Sequence, residues 1–218
     1  MMIRKRKHTM TILGITGSIG MGKSTVDAML RFMGIPVQDA DATVRDLLRQ
    51  RDVIALVERR FPEVINNRAV DRQILATSVF TDQDALRDLE AILHPLVMKE
   101  QKAFLYCQRC QRRHLVALDI PLLFETHADA RVDVTMVVTA AGFIQRSRVL
   151  GRPHMSAERF QAICDAQLCD KKKRHLADFV INTGAGRRIV WCQLHKAIRT
   201  ISTHGTKRKK HARNCSRH

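Results

Sequence analysis

The sequence predicts an α/β fold in which helices cover both faces of a parallel, five-stranded sheet. Short apolar runs alternate along the chain with longer segments of helical periodicity, a pattern typical of parallel sheets. The 218 residues, 45% of them hydrophobic, are enough for one such domain with a substantial core. The strand candidates are Thr11–Thr16, residues 36–38, Leu115–Asp119, Val134–Thr139 and residues 179–181.

A glycine loop follows the first strand and carries the strongest functional signal. Residues 17–24 read G-S-I-G-M-G-K-S, a complete G-x-x-x-x-G-K-S, with an apolar strand before it and an amphipathic helix after it. Glycines let backbone N–H groups surround phosphate oxygens, and a helix N-terminus favours negative charge. Lys23 is expected to bridge the β- and γ-phosphates of a nucleotide and Ser24 to hold Mg²⁺, with Thr25 on the same turn. The alternative, a turn that binds nothing, does not explain the lysine and serine.

The first helix is expected to run from this loop to about Met33, where Gly34 ends it. Asp39 and Asp41 follow the second strand. The carboxyl ends of neighbouring parallel strands form the ligand crevice, and alternation in an extended segment would turn both carboxylates the same way. One could accept the proton of an attacking hydroxyl, and either could reach Mg²⁺ through water. The alternative is an N-cap of the next predicted helix, residues 43–60.

A helical insertion is predicted for residues 62–114, between the second and third strands. Apolar residues recur there at helical spacing, at Leu86, Leu89, Ile92, Leu93, Leu96 and Val97. Cys107 and Cys110 form a C-x-x-C inside this predicted helix. Only His114 is nearby as a further ligand, so reduced thiols are favoured over a metal or redox site.

Asp119 closes the third strand, in the position of a carboxylate that orients Mg²⁺; a cap for the turn at Pro121 is the alternative. A basic segment, residues 142–174, then offers arginines that could cover a migrating phosphate as a closing lid. Arg148 and Arg152 are four residues apart and would share one helix face. Residues 171–174 (K-K-K-R) extend the positive charge, although charge runs are also common on solvated faces. Residues 191–201 are predicted to form the closing helix.

The two tails carry most of the net charge of +17. Residues 4–7 contribute +4 and residues 207–217 contribute +6, with no acidic residue in either tail, so the central chain keeps +7. That value suits a protein that handles polyanionic nucleotides and does not require nucleic acid as a partner. Residues 1–9 and 204–218 are interpreted as disordered, solvated tails, with contact to an acidic partner as the alternative. No apolar run reaches the roughly 18 residues of a membrane span, and no signal peptide is recognised, so a cytoplasmic location is expected.

With these segments assigned, residues 12–201 resemble the dephospho-coenzyme A kinase family. The similarity covers the glycine loop from Gly14 to Thr25, the Asp39-Ala-Asp41 motif, and the later segments V-D-R-Q-I-L (70–75), L-E-A-I-L-H-P (89–95), D-I-P-L-L-F-E (119–125), 145–152, Gln167 and A-D-F-V-I-N (177–182). His94-Pro95 and the P-L-L-F-E run separate this family from other small kinases.

The resemblance implies a P-loop NTPase fold in one domain, residues 10–203, with a helical CoA-binding insertion and a mobile lid. It implies transfer of the ATP γ-phosphate to the 3′-hydroxyl of dephospho-CoA with Mg²⁺. Separately, a monomer or small homo-oligomer is expected. Asp41 is implied as the base, with Lys23 and Arg148 as further catalytic residues and Asp119 with Ser24 at the metal. The implied phosphate contacts are Gly20, Met21, Gly22, Lys23, Ser24, Thr25 and Arg152, and the implied acceptor contacts are Asp39, Asp41, His94, Leu123 and Phe124.

Some residues depart from the family pattern. Ser18 and Met21 replace a Gly and a Ser that are common in the loop, but both stand at variable positions of the motif. Asn182 replaces an acidic residue, which puts only a supporting contact in doubt. Two other readings remain: another P-loop kinase acting on a nucleoside monophosphate or shikimate, and a nucleic-acid-binding protein that uses its basic tails and keeps ATP as a regulator.

Overall fold

A computed structural model describes residues 10–153 and 155–204 of the chain. The predicted tails lie outside these residues, apart from the end of the last helix. Two compact units divide the chain: Gln38–Gln111 forms one, and the segments before and after it form the other. Among the described residues, no helix combines the length and apolar character that a membrane crossing would need.

The predicted five-stranded sheet is confirmed and has the strand order β2-β5-β1-β6-β7. Strand β1 is central, with Leu13 level with Ala117 on β5 and with Val134 on β6, both in parallel pairing. The outer strands differ from the prediction by a residue at their ends. The bounds are β1 Thr11–Thr16, β2 Val37–Asp39, β5 Leu115–Asp119, β6 Val134–Thr139 and β7 Phe179–Asn182.

The first and last helices of the first unit pack on this sheet because each places apolar residues on one face. In the last helix, Val190, Leu194, Ala197 and Ile201 recur at intervals of three or four and all lie in the core with the sheet residues. Because Val190 belongs to this face, the helix begins before the predicted start at residue 191. The bounds are α1 Lys23–Phe32, α6 Gly142–Leu150, α7 Ala157–Ala166, α8 Asp170–Leu176 and α9 Arg187–His204.

Helix α1 ends as predicted. Its last residue is Phe32, and Gly34 adopts a φ of 77°, the left-handed conformation in which glycine has no steric penalty. The Gly34 N–H donates to the carbonyl oxygen of Arg31 and closes the helix end.

The second unit is mainly helical, and it begins at Gln38, well before the insertion predicted for residues 62–114. Its core gathers apolar residues from four helices around Phe61 and Val64. A β-hairpin with two residues in each strand, which was not predicted, lies between the second and third of these helices. Asn67 and Arg68 form its turn and have positive φ angles. The bounds are α2 Ala40–Leu47, α3 Arg51–Arg60, β3 Ile65–Asn66, β4 Ala69–Val70, α4 Arg72–Thr81 and α5 Gln83–Cys110.

The prediction of one helix over residues 43–60 is wrong, because the chain breaks between α2 and α3 at residues 48–50. Leu47 of α2 and Val53 and Val57 of α3 all lie in the core of this unit. At 100° per residue, a continuous helix would turn Val53 about 120° away from Leu47. The break therefore restores a common apolar face for the two segments.

Candidate functional site

The glycine loop connects β1 to α1 in a conformation that requires its glycines. Gly20 and Gly22 have φ angles of 76° and 90°, and Gly22 caps the N-terminus of α1. A Cβ at Gly20 would collide with the Val149 side chain, and one at Gly17 would lie 2.6 Å from the Val138 carbonyl oxygen. Larger residues at these positions would displace the loop from its neighbours.

The loop leads directly into the first turn of α1, which begins at Lys23. The first N–H groups of an α-helix have no acceptor within the helix and, together with the helix dipole, favour a bound anion. The Ser24 side chain is exposed beside them, Thr25 is half-buried, and Met21 is buried. This arrangement has the features of the predicted phosphate cradle.

Lys23 forms an ion pair at the carboxyl end of the sheet. Its Nζ lies 2.6 Å from Asp119 Oδ1, and the Asp119 side chain is almost completely buried at the end of β5. The ion pair fixes the lysine of the loop against the strand next to β1. It brings together two residues that the sequence assigns to the same site.

Asp27, one helical turn after Lys23, is a third member of this cluster. It is 3% exposed on the inner face of α1. Burial is the largest cause that raises the pKa of Asp27, to about 8, and the hydrogen bond and negative charge of Asp119 add to it; Lys23 and Arg31 act in the opposite direction. A pKa raised this far favours the protonated form of Asp27 at neutral pH. The sequence analysis missed Asp27, although its spacing of four from Lys23 on the apolar face of the helix was a usable signal.

Arg148 of α6 holds the glycine loop through hydrogen bonds. Its Nη1 donates to Thr183 Oγ1 at 2.9 Å and to the Gly20 carbonyl oxygen at 3.4 Å, and its Nη2 donates to the Thr183 carbonyl oxygen at 3.0 Å. Thr183 Oγ1 in turn donates to the carbonyl oxygen of Met21 at 2.6 Å. The arginine therefore lies beside the cradle and supports its shape.

The remaining basic residues of the segment differ from their predicted arrangement. Arg152 is exposed and follows the end of α6, so helical spacing does not place it on one face with Arg148. Lys173 does not contribute to a basic surface: it is fully buried, and its Nζ lies 2.8 Å from Glu125 Oε1. The charge pattern could not reveal this, because its partner is 48 residues away in the sequence.

Two glutamines hold the peptide groups of Ile19 in the loop. Gln145 Nε2 donates to the Ile19 carbonyl oxygen at 2.9 Å, and Gln167 Oε1 accepts from the Ile19 N–H at 3.1 Å. Gln145 belongs to α6, and Gln167 follows α7. Both were noted only as parts of the family resemblance, since contacts over such separations have no local signature.

Leu123 and Phe124 follow β5 and are buried, at 0% and 8% exposure. Leu123 packs inside the first unit, where a Cβ at Gly14 would lie 3.3 Å from its Cδ2. Their predicted contact with an acceptor stays a prediction.

Asp39, Asp41 and His94 belong to the second unit. Asp39 Oδ1 accepts from the Ala42 N–H at 3.0 Å, so the N-cap alternative is confirmed for this residue. Asp41 is exposed in the first turn of α2, so the expected alternation of extended backbone is wrong at this point. His94 is exposed within α5, which continues through Pro95.

Comparison with known proteins identifies the family. The dephospho-CoA kinase family profile matches residues 11–187. The dephospho-CoA kinase of Paramagnetospirillum magneticum is 52% identical over 166 residues, 76% of this chain and 78% of the relative. The dephospho-CoA kinase of Mesorhizobium japonicum is 48% identical over 177 residues, covering 81% of this chain and 89% of the relative.

Solved structures agree in fold. The crystal structure of TT1252 from Thermus thermophilus matches with a TM-score of 0.76 and 36% identity, covering 88% of this chain and 97% of that one. The profile match over most of the chain, the identity to the curated relatives and the intact glycine loop together show that this chain belongs to the dephospho-CoA kinase family.

Proposed function

We propose that this chain transfers the γ-phosphate of ATP to the 3′-hydroxyl of the ribose of dephospho-CoA, giving CoA and ADP, the final step of coenzyme A biosynthesis. The observation that carries the proposal is the glycine loop, with Lys23 paired to Asp119, in a member of the dephospho-CoA kinase family. A P-loop alone does not specify an acceptor, so the acceptor rests on family membership.

The glycine loop and Lys23 would hold the phosphates of ATP, through Gly20, Met21, Gly22, Ser24 and Thr25. Phosphoryl transfer depends mainly on positioning and on neutralising the charge of the migrating group. Arg148 lies next to the loop, with its Nη1 3.4 Å from the Gly20 carbonyl oxygen, so its positive charge is available beside the cradle. Arg152, exposed after α6, is the second cation proposed for the nucleotide.

The residues at the end of β5 and the start of α1 fit a magnesium ion. Mg²⁺ prefers oxygen ligands and is usually held by one or two protein groups together with substrate phosphates. The exposed hydroxyl of Ser24 and the carboxylate of Asp119 supply such oxygens within the first unit. We propose these two residues for the ion, which would neutralise charge on the phosphates when bound.

Asp41 is proposed as the general base that accepts the proton of the acceptor hydroxyl. Support comes from its place directly after β2, in the Asp39-Ala-Asp41 motif, and from its exposed side chain. Asp39 combines the N-cap of α2 with a proposed acceptor contact, alongside His94, Leu123 and Phe124. A cytoplasmic location, a monomeric or small homo-oligomeric state and independence from nucleic acid remain predictions from the sequence.

The test is to incubate the purified protein with ATP, Mg²⁺ and dephospho-CoA and to follow ADP and CoA together. We expect both products in equal amounts, and little turnover with a nucleoside monophosphate or shikimate as acceptor. ADP formation without CoA would retain the nucleotide site and reject the acceptor.

Lys23→Ala serves as the negative variant of this assay. Removing one group that stabilises transition-state charge costs about 10²–10³ in rate. We expect at least that loss, with a far-ultraviolet circular dichroism spectrum like that of the parent. Activity within tenfold of the parent would contradict the role of Lys23.

A further inference from the structure

We propose that the ion pair between the buried Lys173 and Glu125 is a positioning device that holds Gln167 against the glycine loop and thereby sets nucleotide affinity. The inference rests on the proposed function, because it assigns a role in the nucleotide site of the same enzyme. It concerns residues that do not themselves touch the substrate in this scheme, so Lys173 and Glu125 are positioning residues.

The first step is the burial of Lys173, whose partner Glu125 is 17% exposed. Lys173 is completely inaccessible, and its Nζ lies 2.8 Å from Glu125 Oε1. Burial raises the pKa of Glu125, but the hydrogen bond from Lys173 and the backbone N–H groups together outweigh it, so the pKa of this carboxyl is lowered. Glu125 is therefore a carboxylate at neutral pH.

A charged pair in this place is poorly explained by stability alone. Two ions lose their hydration on burial, and well-packed apolar residues of similar size are often equally or more stable. What the pair does provide is a defined geometry, since ammonium and carboxylate must keep their separation and direction. A pair with such a geometry can hold a neighbouring segment in place.

The second step concerns the segment that leads from the end of α7 into α8. The same carboxylate contacts this segment at two points. Glu125 Oε1 accepts from the Leu168 N–H at 2.9 Å as well as pairing with Lys173 on α8. Residues 168–173 are therefore anchored to the turn after β5. Gln167 stands immediately before this anchored segment.

The third step connects Gln167 to the loop. Its Oε1 accepts from the Ile19 N–H at 3.1 Å, and Gln145 Nε2 donates to the carbonyl oxygen of the same residue at 2.9 Å. Ile19 lies within the glycine loop, next to Gly20. Displacing Leu168 would draw the Gln167 side chain from Ile19 and leave this part of the loop held from one side only.

The experiment is a double-mutant cycle in which the affinity for ADP is measured by calorimetry at fixed Mg²⁺ and salt. The variants are Gln167→Ala, Lys173→Met and the double variant. Loss of one hydrogen bond corresponds to roughly three- to tenfold in an equilibrium constant, so Gln167→Ala should weaken ADP binding by that factor. Lys173→Met should weaken it at least as much. Because both act through one contact, the double variant should be within about twofold of Lys173→Met.

Matched controls are Gln161→Ala and Lys196→Met, exposed residues of α7 and α9; both should bind ADP like the parent. Thermal melting separates the two roles, since Lys173→Met, which breaks an ion pair, should lower the melting temperature more than Gln167→Ala, which removes one hydrogen bond. If Lys173→Met does not fold, Glu125→Ala replaces it in the cycle, because it removes both the partner of Lys173 and the acceptor of the Leu168 N–H.

The proposal is overturned if the losses of ADP affinity in the two single variants multiply in the double variant. It is also overturned if Gln167→Ala binds ADP like the parent. The measurement uses ADP without an acceptor. A parent protein that binds ADP but does not phosphorylate dephospho-CoA would therefore refute the proposed function while the cycle still decides this inference. A parent protein that does not bind ADP would refute both.

Discussion

At the scale of single residues, the arrangement of Lys23, Asp119 and Asp27 places two carboxylates and one ammonium in a nearly dry environment. One negative charge is compensated by Lys23, whose Nζ lies 2.6 Å from Asp119. A second ionised carboxylate would lie beside a like charge and away from water. Ionising it would cost more free energy than keeping the proton. A proton on Asp27 leaves this part of the site close to neutral.

The proton on Asp27 predicts a particular pH dependence of stability. Its pKa is raised from 3.8 to about 8 in the folded protein, chiefly by burial. Between these values the folded chain retains a proton that the unfolded chain has lost, so the free energy of unfolding falls as pH rises. Asp27→Asn removes this titration. We expect the variant to gain roughly 1–3 kcal/mol relative to the parent on going from pH 5 to pH 8.5.

The measurement is urea denaturation without nucleotide or Mg²⁺ at both pH values. Asp46→Asn is the control, because Asp46 is a highly exposed aspartate of α2 and should leave the pH dependence of the parent unchanged. Equal slopes for the parent and Asp27→Asn would show that Asp27 is ionised in the folded protein.

Asp41 gives a prediction that separates chemistry from binding. If Asp41 accepts the proton, Asp41→Asn should lower kcat by about 10²–10⁴-fold, the usual contribution of a general base. The affinity for ADP should change little, because the proposed phosphate contacts lie in the glycine loop. Both quantities are measured on the same preparation.

Asp39→Asn is the natural comparison for Asp41→Asn. Asparagine is as good an N-cap as aspartate, so α2 should keep its start and the protein its stability. A kcat for Asp41→Asn near that of the parent would refute the assignment of the base. Loss of activity in Asp39→Asn instead would transfer the role to that residue.

At the scale of elements, the sequence predicted those strands and helix ends that are determined by residues close together in the chain. The strands around β1 and the stop of α1 at Gly34 followed from apolar runs and from a residue that adopts positive φ easily. The break between α2 and α3 did not, since residues 48–50 contain neither glycine nor proline. There the packing of Leu47, Val53 and Val57 into one core decides the backbone, and packing is not a local property.

The start of α5 is an element boundary whose strength can be measured. Asp82 Oδ1 accepts from the N–H groups of Asp84 and Ala85, at 2.8 and 3.2 Å, and so caps this helix of 28 residues. Asp82→Ala should lower the free energy of unfolding by about 1 kcal/mol, and Asp82→Asn by only a few tenths. Chemical denaturation of both variants tests this, and equal losses would mean that the charge, not the cap, is what matters.

At the scale of the whole molecule, the candidate site divides into a local and a distant part. The glycine loop and Asp119 were found from the sequence because their motifs are short and continuous. The groups that support the loop come from α6, from the end of α7 and from the residue after β7, namely Gln145, Arg148, Gln167 and Thr183. These partners are more than 120 residues from the loop, and only the folded chain brings them to it.

The distribution of charge over the whole chain gives the last prediction. Ten of the positive charges lie in residues 4–7 and 207–217, outside the residues that the structure describes, whereas the described part contains the glycine loop and the groups around it. Removing residues 2–9 and 205–218 should therefore leave kcat unchanged within about twofold. Long-range attraction of an anionic substrate is screened beyond about 8 Å at physiological salt, so kcat/KM should also change little there.

Steady-state kinetics of the parent and truncated proteins at about 0.15 M salt and at low salt test both statements. A truncated protein that loses kcat at both salt concentrations would show that the tails belong to the catalytic machinery, whereas a loss of kcat/KM confined to low salt would limit them to attracting the substrate.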